Sequence, residues 1–551
     1  MKGDCVKNWR FIAVLMMIVG IGVMFRLWNF TPALGNDDQR WIITSQGFGK
    51  DHVAGLYPVY YSRILWRLVL SSWGAIVGLS LTTTPYLMFG LSCVTTVLIA
   101  LAGRLAFGPR AGLWAAAVYA THPMAVVYDT LTLPDGLAIA LLAAIIYLFL
   151  IFLRQDRLFC LVLCGFLVGL LFSAKTYFIL AALPIVACLM LRTGSLNTRF
   201  RNAVMFSVLV FAGIAVDMIL HCWESGNWLA RFSAILSYGD RIQALGDGST
   251  RTGIQRLVIA VLDRFAYGEW LFLDVGFVCG FLTLWACVAI VNEARTNVVC
   301  LFLSFMVCTF APFLLFCPAK LSPLIFVEMQ PRYLGILLPM IAISAGMLLS
   351  QVIERLPSPS ARRGFLAAIV CGFLYNLMVP NDLGNRTFNR SDRMVFDGIR
   401  HELTRGKESG CSEFVFPDVK YKQVTPDSYY ALGLKISFYD TNDIVAAKVI
   451  KDRLLREPST VLFVPRAAFK LPLVHALSRG EYQESLEVEG RYQELVRWLR
   501  DNGFSRQGIR VPNTVFRAWM CRAGMLSREQ QLIGWIYRRE QPQALDKTVP
   551  K

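Results

Sequence analysis

In a chain this apolar, the ionisable side chains beside long apolar runs are the first candidates for chemistry. Asp37 and Asp38 follow the first run, Asp129 and Asp135 bracket a later turn, and Lys175 sits in a turn only a few residues long. Asp217 lies near the end of another run, and Lys320, Glu328 and Arg332 share the turn before the run at about 333–353. A charge at membrane depth is costly, so its presence there points to function by default. Carboxylates can act as general bases, and cations can bind phosphate through charge-assisted hydrogen bonds. Gathered at one membrane boundary, such groups would hold an anionic head group while an attached lipid tail stays in the hydrocarbon.

Each residue also has a plainer reading. Asp37 could cap an external helix, Asp135 could cap the helix that follows it, and Asp38 could be a solvated carboxylate. Lys175 could snorkel to the interface, and Arg332, Tyr57 and Tyr60 could be interfacial anchors. Asp217 could be satisfied by a neighbouring helix.

The elements that must position these residues are apolar helices. The 551 residues are 55% hydrophobic and only 17% charged, with a mean hydropathy of +0.50. Runs of about 17–25 apolar residues match about 30 Å of hydrocarbon. Eleven spans are expected, at about 11–28, 85–105, 111–128, 136–153, 158–174, 176–191, 203–222, 270–291, 297–316, 333–353 and 364–380. The first is read as an uncleaved span, because bulky Phe25 to Trp28 stand where a signal peptide would carry small residues. Arg110, Arg154, Arg157, Arg192, Arg199, Arg201, Arg295, Arg355, Arg362 and Arg363 fill alternate short loops, and 128–135 has no Lys or Arg. The positive-inside bias then puts the amino terminus in the cytoplasm and, with an odd span count, everything after Pro380 outside. The net charge of +17 follows from the same bias, so nucleic acid is not an expected partner.

Residues 381–551 have no spanning run, and basic residues outnumber acidic ones there. Phe414–Phe416, Ile436–Tyr439 and Val461–Val464 read as strands, with helix-like stretches at Asp443–Leu455 and Arg491–Asn502. The expectation is a small α/β domain outside the membrane. Two further external segments, about 29–84 and 223–269, are long enough to carry function. Of the fourteen cysteines most lie in apolar runs, as small core residues do. Cys411 and Cys521, beyond the spans, could pair in an oxidising compartment.

At these positions the chain resembles the C-type glycosyltransferases, the GT-C superfamily. Gly35-Asn36-Asp37-Asp38-Gln39-Arg40 is similar to the acidic signature of their first external loop. Leu56-Tyr57-Pro58-Val59-Tyr60-Tyr61 stands in the place of their His-Pro-Pro-Leu-Tyr segment, with His52 near but not adjacent. Phe107-Gly108-Pro109-Arg110-Ala111-Gly112, Pro123, Leu133-Pro134-Asp135 and Phe172-Ser173-Ala174-Lys175 follow in order. Arg332-Tyr333-Leu334 leads into Leu337-Leu338-Pro339. The order resembles the branch with protein O-mannosyltransferases and the lipid A aminoarabinose transferase.

The resemblance implies a membrane all-α bundle of about eleven transmembrane helices, with juxtamembrane helices in the first loop. Residues 1–380 would be the catalytic domain and 381–551 an extracytoplasmic α/β domain. It implies an inverting glycosyltransferase that moves sugar from a polyprenyl-phosphate carrier to a lipid, glycan or protein acceptor at the outer face of the plasma (inner) membrane. Asp37 and Asp38 would be catalytic, Lys175 and Arg332 would bind the donor phosphate, and Asp135, Tyr57 and Tyr60 would bind substrate. Neither cofactor nor metal is expected. A transporter or flippase of a lipid-linked sugar is the alternative, and a non-catalytic scaffold a third. Against a transporter stand charges at one boundary rather than the midplane and no detectable repeat.

Overall fold

The computed structural model describes residues 2–28, 41–42, 44–45, 48, 62–79, 83–233, 277–294, 297–316, 318–321, 324–326 and 335–378, together with 413–418, 435–440, 460–465, 497–502, 504–510 and 532–539. The first eleven of these stretches form a helical bundle. In chain order its helices are α1 (Lys2–Trp28), α2 (Ile64–Val77), α3 (Thr84–Phe107), α4 (Pro109–Thr121), α5 (Pro123–Tyr128), α6 (Pro134–Gln155) and α7 (Leu158–Ala174). A 3₁₀ turn (Thr176–Ala181) leads into α8 (Ala182–Leu191). There follow α9 (Leu196–Ser225), α10 (Phe277–Glu293), α11 (Val298–Phe316), α12 (Leu338–Arg355) and α13 (Pro359–Met378). Between α11 and α12 lies a small antiparallel pair, β1 (Pro318–Leu321) and β2 (Leu324–Phe326).

Among the described residues, five helices are long and apolar enough to cross a membrane: Trp9–Leu27, Thr84–Phe107, Pro134–Gln155, Leu196–Ser225 and Gly335–Arg355. Four shorter apolar helices, Ile64–Val77, Leu158–Ala174, Thr176–Leu191 and Val298–Ala311, accompany them. The protein is therefore a multi-pass membrane protein. α6 and α12 are largely enclosed by protein, whereas α1 and α9 keep most of their apolar surface outward, as helices at a lipid boundary do. The helix breaks follow local chemistry. Pro85, Pro109 and Pro134 sit in the first turn of α3, α4 and α6, where a missing N–H costs nothing. Gly108, at φ 96°, supplies the left-handed residue that turns α3 into α4.

Apolar helices gain no hydrophobic drive against lipid, so they associate by close packing of small residues. α7 lies along α9 at Gly169 and Gly213, where an added Cβ on Gly169 would come 2.7 Å from the Gly213 Cα. α12 meets α4 in the same way, Gly346 standing against the Ala111 carbonyl.

The chain divides into two compact units, Met1–Pro32 with Arg40–Thr387, and Ala33–Gln39 with Phe388–Lys551. The second carries a five-stranded mixed sheet in the order β4-β3-β5-β7-β6. Its strands are β3 (Glu413–Asp418), β4 (Lys435–Asp440), β5 (Thr460–Pro465), β6 (Phe504–Arg510) and β7 (Leu532–Arg539). β3 is parallel to β4 and β5, and β7 is antiparallel to β5 and β6. Strands thus occupy the three expected segments, and residues 497–501 of the expected second helix are helical. The stretch 443–455 lies outside the described residues.

Candidate functional site

The two ends of the bundle differ in their charges. At one end Arg154 of α6 donates to the Ala106 carbonyl of α3 at 2.8 Å. There Arg110 pairs with Glu354, and Arg192 with Asp156, each pair with at least one well-exposed member. This is the end that gathers the loops rich in arginine. At the other end four ion pairs are nearly sealed from solvent.

The first joins the C-terminal turn of α1 to the loop after α5. Arg26 donates from Nη2 to Asp129 at 2.8 Å, and from Nη1 to the Ala120 carbonyl at 2.9 Å. Ser92 Oγ, at 2.7 Å, and Tyr119 Oη, at 3.1 Å, also donate to the Asp129 carboxylate. The second pair is Arg67 with Glu224 at 2.7 Å, both side chains fully buried. Arg67 also donates through Nε and Nη2 to the Thr44 carbonyl, at 3.1 and 2.9 Å.

The third pair unites two residues expected in the site. Lys175 Nζ donates to Asp135 Oδ1, and only 3% of Lys175 and 5% of Asp135 remain exposed. Asp135 stands in the first turn of α6, where the helix dipole favours a carboxylate. Lys175 stands just past α7 with an extended backbone, φ −157° and ψ 116°, which ends the helix before the 3₁₀ turn. The Lys175 ammonium also lies 5.0 Å from the centre of the Tyr177 ring. Alone, each charge would be expensive to bury; together they offset much of that cost.

The fourth pair sits behind Lys175. Asp217, near the end of α9, accepts from Arg231 at 3.2 Å and from Ser173 Oγ at 2.6 Å. Arg231 donates further to the carbonyls of Ser62, at 2.9 Å, Ser173, at 3.1 Å, and Phe172, and to Thr176 Oγ1 at 3.0 Å. Burial pulls its pKa down to about 10, opposed by Asp217, so the guanidinium stays charged at neutral pH. His221, between the two acids of α9, has Nε2 3.3 Å from the Ser62 carbonyl and 3.8 Å from Asp217.

Of the residues singled out by sequence, then, Asp135 and Lys175 are in direct contact, and Asp217 is satisfied by Arg231 and Ser173. Asp37, Asp38, His52, Tyr57, Tyr60, Glu328 and Arg332 lie outside the described residues, as do Cys411 and Cys521. Lys320 stands on β1, in register with Ile325. Sequence reasoning passed over Arg26, Arg67, Glu224 and Arg231. One signal was available: Asp217, His221 and Glu224 recur at i, i+4 and i+7, which puts three ionisable residues on one face of an apolar helix. Among the described residues no group of three or more His, Cys, Asp or Glu is placed to hold a metal ion.

Comparison with known families agrees with the resemblance to the GT-C class read from the sequence. Within the class, residues 69–220 match the family of dolichyl-phosphate-mannose-protein mannosyltransferases, the branch read from the sequence. The matched segment contains Asp129, Asp135, Lys175 and Asp217. No curated protein sequence matches the chain.

Among solved structures, the chain is similar to the oligosaccharyltransferase of Archaeoglobus fulgidus tethered to an acceptor peptide with the NVT sequon. Identity is 13%, coverage 84% of this chain and 70% of that one, and the TM-score 0.49. The same organism's oligosaccharyltransferase AglB, in complex with an inhibitory peptide and a dolichol-phosphate, gives 12%, 90%, 73% and 0.49. ArnT from Cupriavidus metallidurans bound to undecaprenyl phosphate gives 11%, 86%, 94% and 0.46.

Proposed function

We propose that the protein is an inverting glycosyltransferase that takes sugar from a polyprenyl-phosphate carrier at the extracytoplasmic face of the plasma membrane. The observation that carries this reading is the sealed Asp135–Lys175 pair at the end of the bundle opposite the arginine-rich loops, within the segment that matches the mannosyltransferase family. The acceptor is a hydroxyl of a lipid, glycan or protein. Eleven spans, a cytoplasmic amino terminus and an extracytoplasmic α/β domain over residues 381–551 complete the topology.

The step is a single displacement. The acceptor atom bonds to the anomeric carbon, the bond from that carbon to the phosphate oxygen breaks, and its electron pair leaves with the lipid phosphate. The acceptor proton goes to Asp37, with Asp38 beside it in sequence to orient the acceptor. Lys175 and Arg332 stabilise the charge that grows on the phosphate, a contribution that is large where water is scarce. Asp135 keeps the Lys175 ammonium in place before the donor arrives, and with Tyr57 and Tyr60 it contacts substrate hydroxyls.

The test is sugar transfer from a purified polyprenyl-phosphate donor by the full chain in detergent. Asp37→Asn keeps size and hydrogen bonding but cannot take a proton. Transfer should fall about 10²–10⁴-fold with undecaprenyl phosphate binding intact. Normal turnover by this variant would remove Asp37 from the mechanism. Product formed by no donor and acceptor pair would favour a carrier, which makes nothing where there are no two sides to cross.

A further inference from the structure

The last turn of α7 is held from outside its own helix. A helix leaves its final carbonyls without intrahelical donors. Here Arg231 donates to the carbonyls of Phe172 and Ser173, and Arg63 donates to the next one, Ala174, at 3.3 Å. Arg231 also reaches the hydroxyl of Thr176, one residue beyond Lys175. Two arginines from two other segments therefore grip the backbone just before Lys175, and one of them also holds the side chain just after it. Arg231 is itself fixed, because Asp217 of α9 accepts from it while Ser173 donates to the same carboxylate oxygen.

These contacts constrain one short stretch far more than its own geometry does. The extended backbone of Lys175 interrupts the ladder between α7 and the 3₁₀ turn, leaving Lys175 N–H to Leu171 at 2.9 Å and Phe178 N–H to Lys175 at 3.1 Å as the local ties. A long, unbranched lysine side chain delivers its charge accurately only if its Cα is fixed. The planar fork of an arginine supplies the five donors that can fix several carbonyls at once, which the three donors of a lysine cannot do with the same spread.

We infer that Arg231, braced by Asp217, is a positioning residue that acts through Lys175, setting where the ammonium meets the phosphate of the lipid carrier. The assignment rests on the reading of Lys175 as a donor-phosphate ligand. The same α9 face continues to Glu224, which braces Arg67 against Thr44. Its acids thus hold two arginines that reach out to other segments, and the Asp217 branch grips the Lys175 turn.

The experiment is a double-mutant cycle read by equilibrium binding of radiolabelled undecaprenyl phosphate to the purified full chain. Four proteins are compared: wild type, Arg231→Lys, Asp135→Asn/Lys175→Gln, and the triple variant. The neutralised pair avoids leaving a lone buried charge. Loss of the Lys175 contact should weaken binding about 10–100-fold, the worth of a charged hydrogen bond. Arg231→Lys, which still pairs with Asp217, should weaken it about tenfold, a coupling usual within one hydrogen-bond network. In the neutralised background the same change should add less than about twofold, because the residue through which it acts is gone.

Wild-type affinity in Arg231→Lys overturns the assignment, and so does an undiminished tenfold loss in the neutralised background; neither touches the role of Lys175. Wild-type affinity in the neutralised protein instead removes Lys175 from phosphate binding and the assignment with it. If Arg231→Lys does not yield folded protein, Arg63→Gln enters the same cycle, since Arg63 is only half-buried and its loss spares the Asp217 pair. A several-fold loss that vanishes in the neutralised background supports the inference, and no loss overturns it.

Discussion

The pairs Arg26–Asp129 and Asp135–Lys175 are alike in burial and differ in the work assigned to them, so neutralising each in parallel separates scaffold from site. Arg26→Met alone leaves the Asp129 carboxylate, 4% exposed, with only the hydroxyls of Ser92 and Tyr119 to solvate it. Breaking a buried pair from one side costs about 3–5 kcal/mol. In Arg26→Met/Asp129→Asn the lone charge is gone, and both hydroxyls still find an amide oxygen. What remains is the unmet Ala120 carbonyl, worth about 1–3 kcal/mol. The double variant should therefore unfold later in detergent than Arg26→Met alone, and it should bind undecaprenyl phosphate as wild type does. Asp135→Asn/Lys175→Gln should recover stability relative to Lys175→Gln alone in the same way, yet should not recover binding. Equal loss of binding in both double variants would refute the division into scaffold and site. A double variant no more stable than its charged single would refute the electrostatic reasoning.

Packing and topology give two further expectations. Gly169→Ala would drive a Cβ to 2.3 Å from the Val210 carbonyl, so it should cost about 1–3 kcal/mol by thermal unfolding, whereas Gly20→Ala, with nothing within 4 Å, should be neutral or gain up to about 1 kcal/mol. A reporter active only outside the cytoplasm should work when fused after residue 400 and fail at Asp156 or Asn197; the opposite result at any of the three overturns the orientation.

The five span-length helices were legible because a run of apolar residues long enough to cross hydrocarbon leaves a strong one-dimensional trace. α2 was not: at 14 residues it is shorter than a span, and Arg67 inside it reads as a loop charge until Glu224 is seen beside it. β6 and β7 were missed for the related reason that Ser505, Arg506 and Gln507 stand together in one strand and Arg538 and Arg539 in the other, so neither shows a clean apolar alternation. Asp135 and Lys175 were singled out separately, 40 positions apart, because both are charges beside apolar runs. Their pairing was not foreseen. Arg231 was the least legible, since most of its partners are backbone carbonyls, which every residue owns and no sequence displays.

The charge balance at this end of the bundle bears on how an anion could be received there. Asp129, Asp135, Asp217 and Glu224 are each matched by one cation, Arg26, Lys175, Arg231 and Arg67. These four pairs are neutral as a set, so they give an incoming phosphate no long-range attraction, and what Lys175 offers is a short-range charged hydrogen bond. A phosphate beside Lys175 also meets the carboxylate of Asp135, and at short range in a poorly hydrated site that repulsion is strong. Lys175 alone therefore does not make a favourable phosphate site, and cations beyond the four pairs must contribute. The role proposed for Arg332 fills that need. On the proposed reading, the Asp135 and Asp217 carboxylates hold Lys175 and Arg231 in place while the site is empty, and the surplus positive charge comes from outside the pairs.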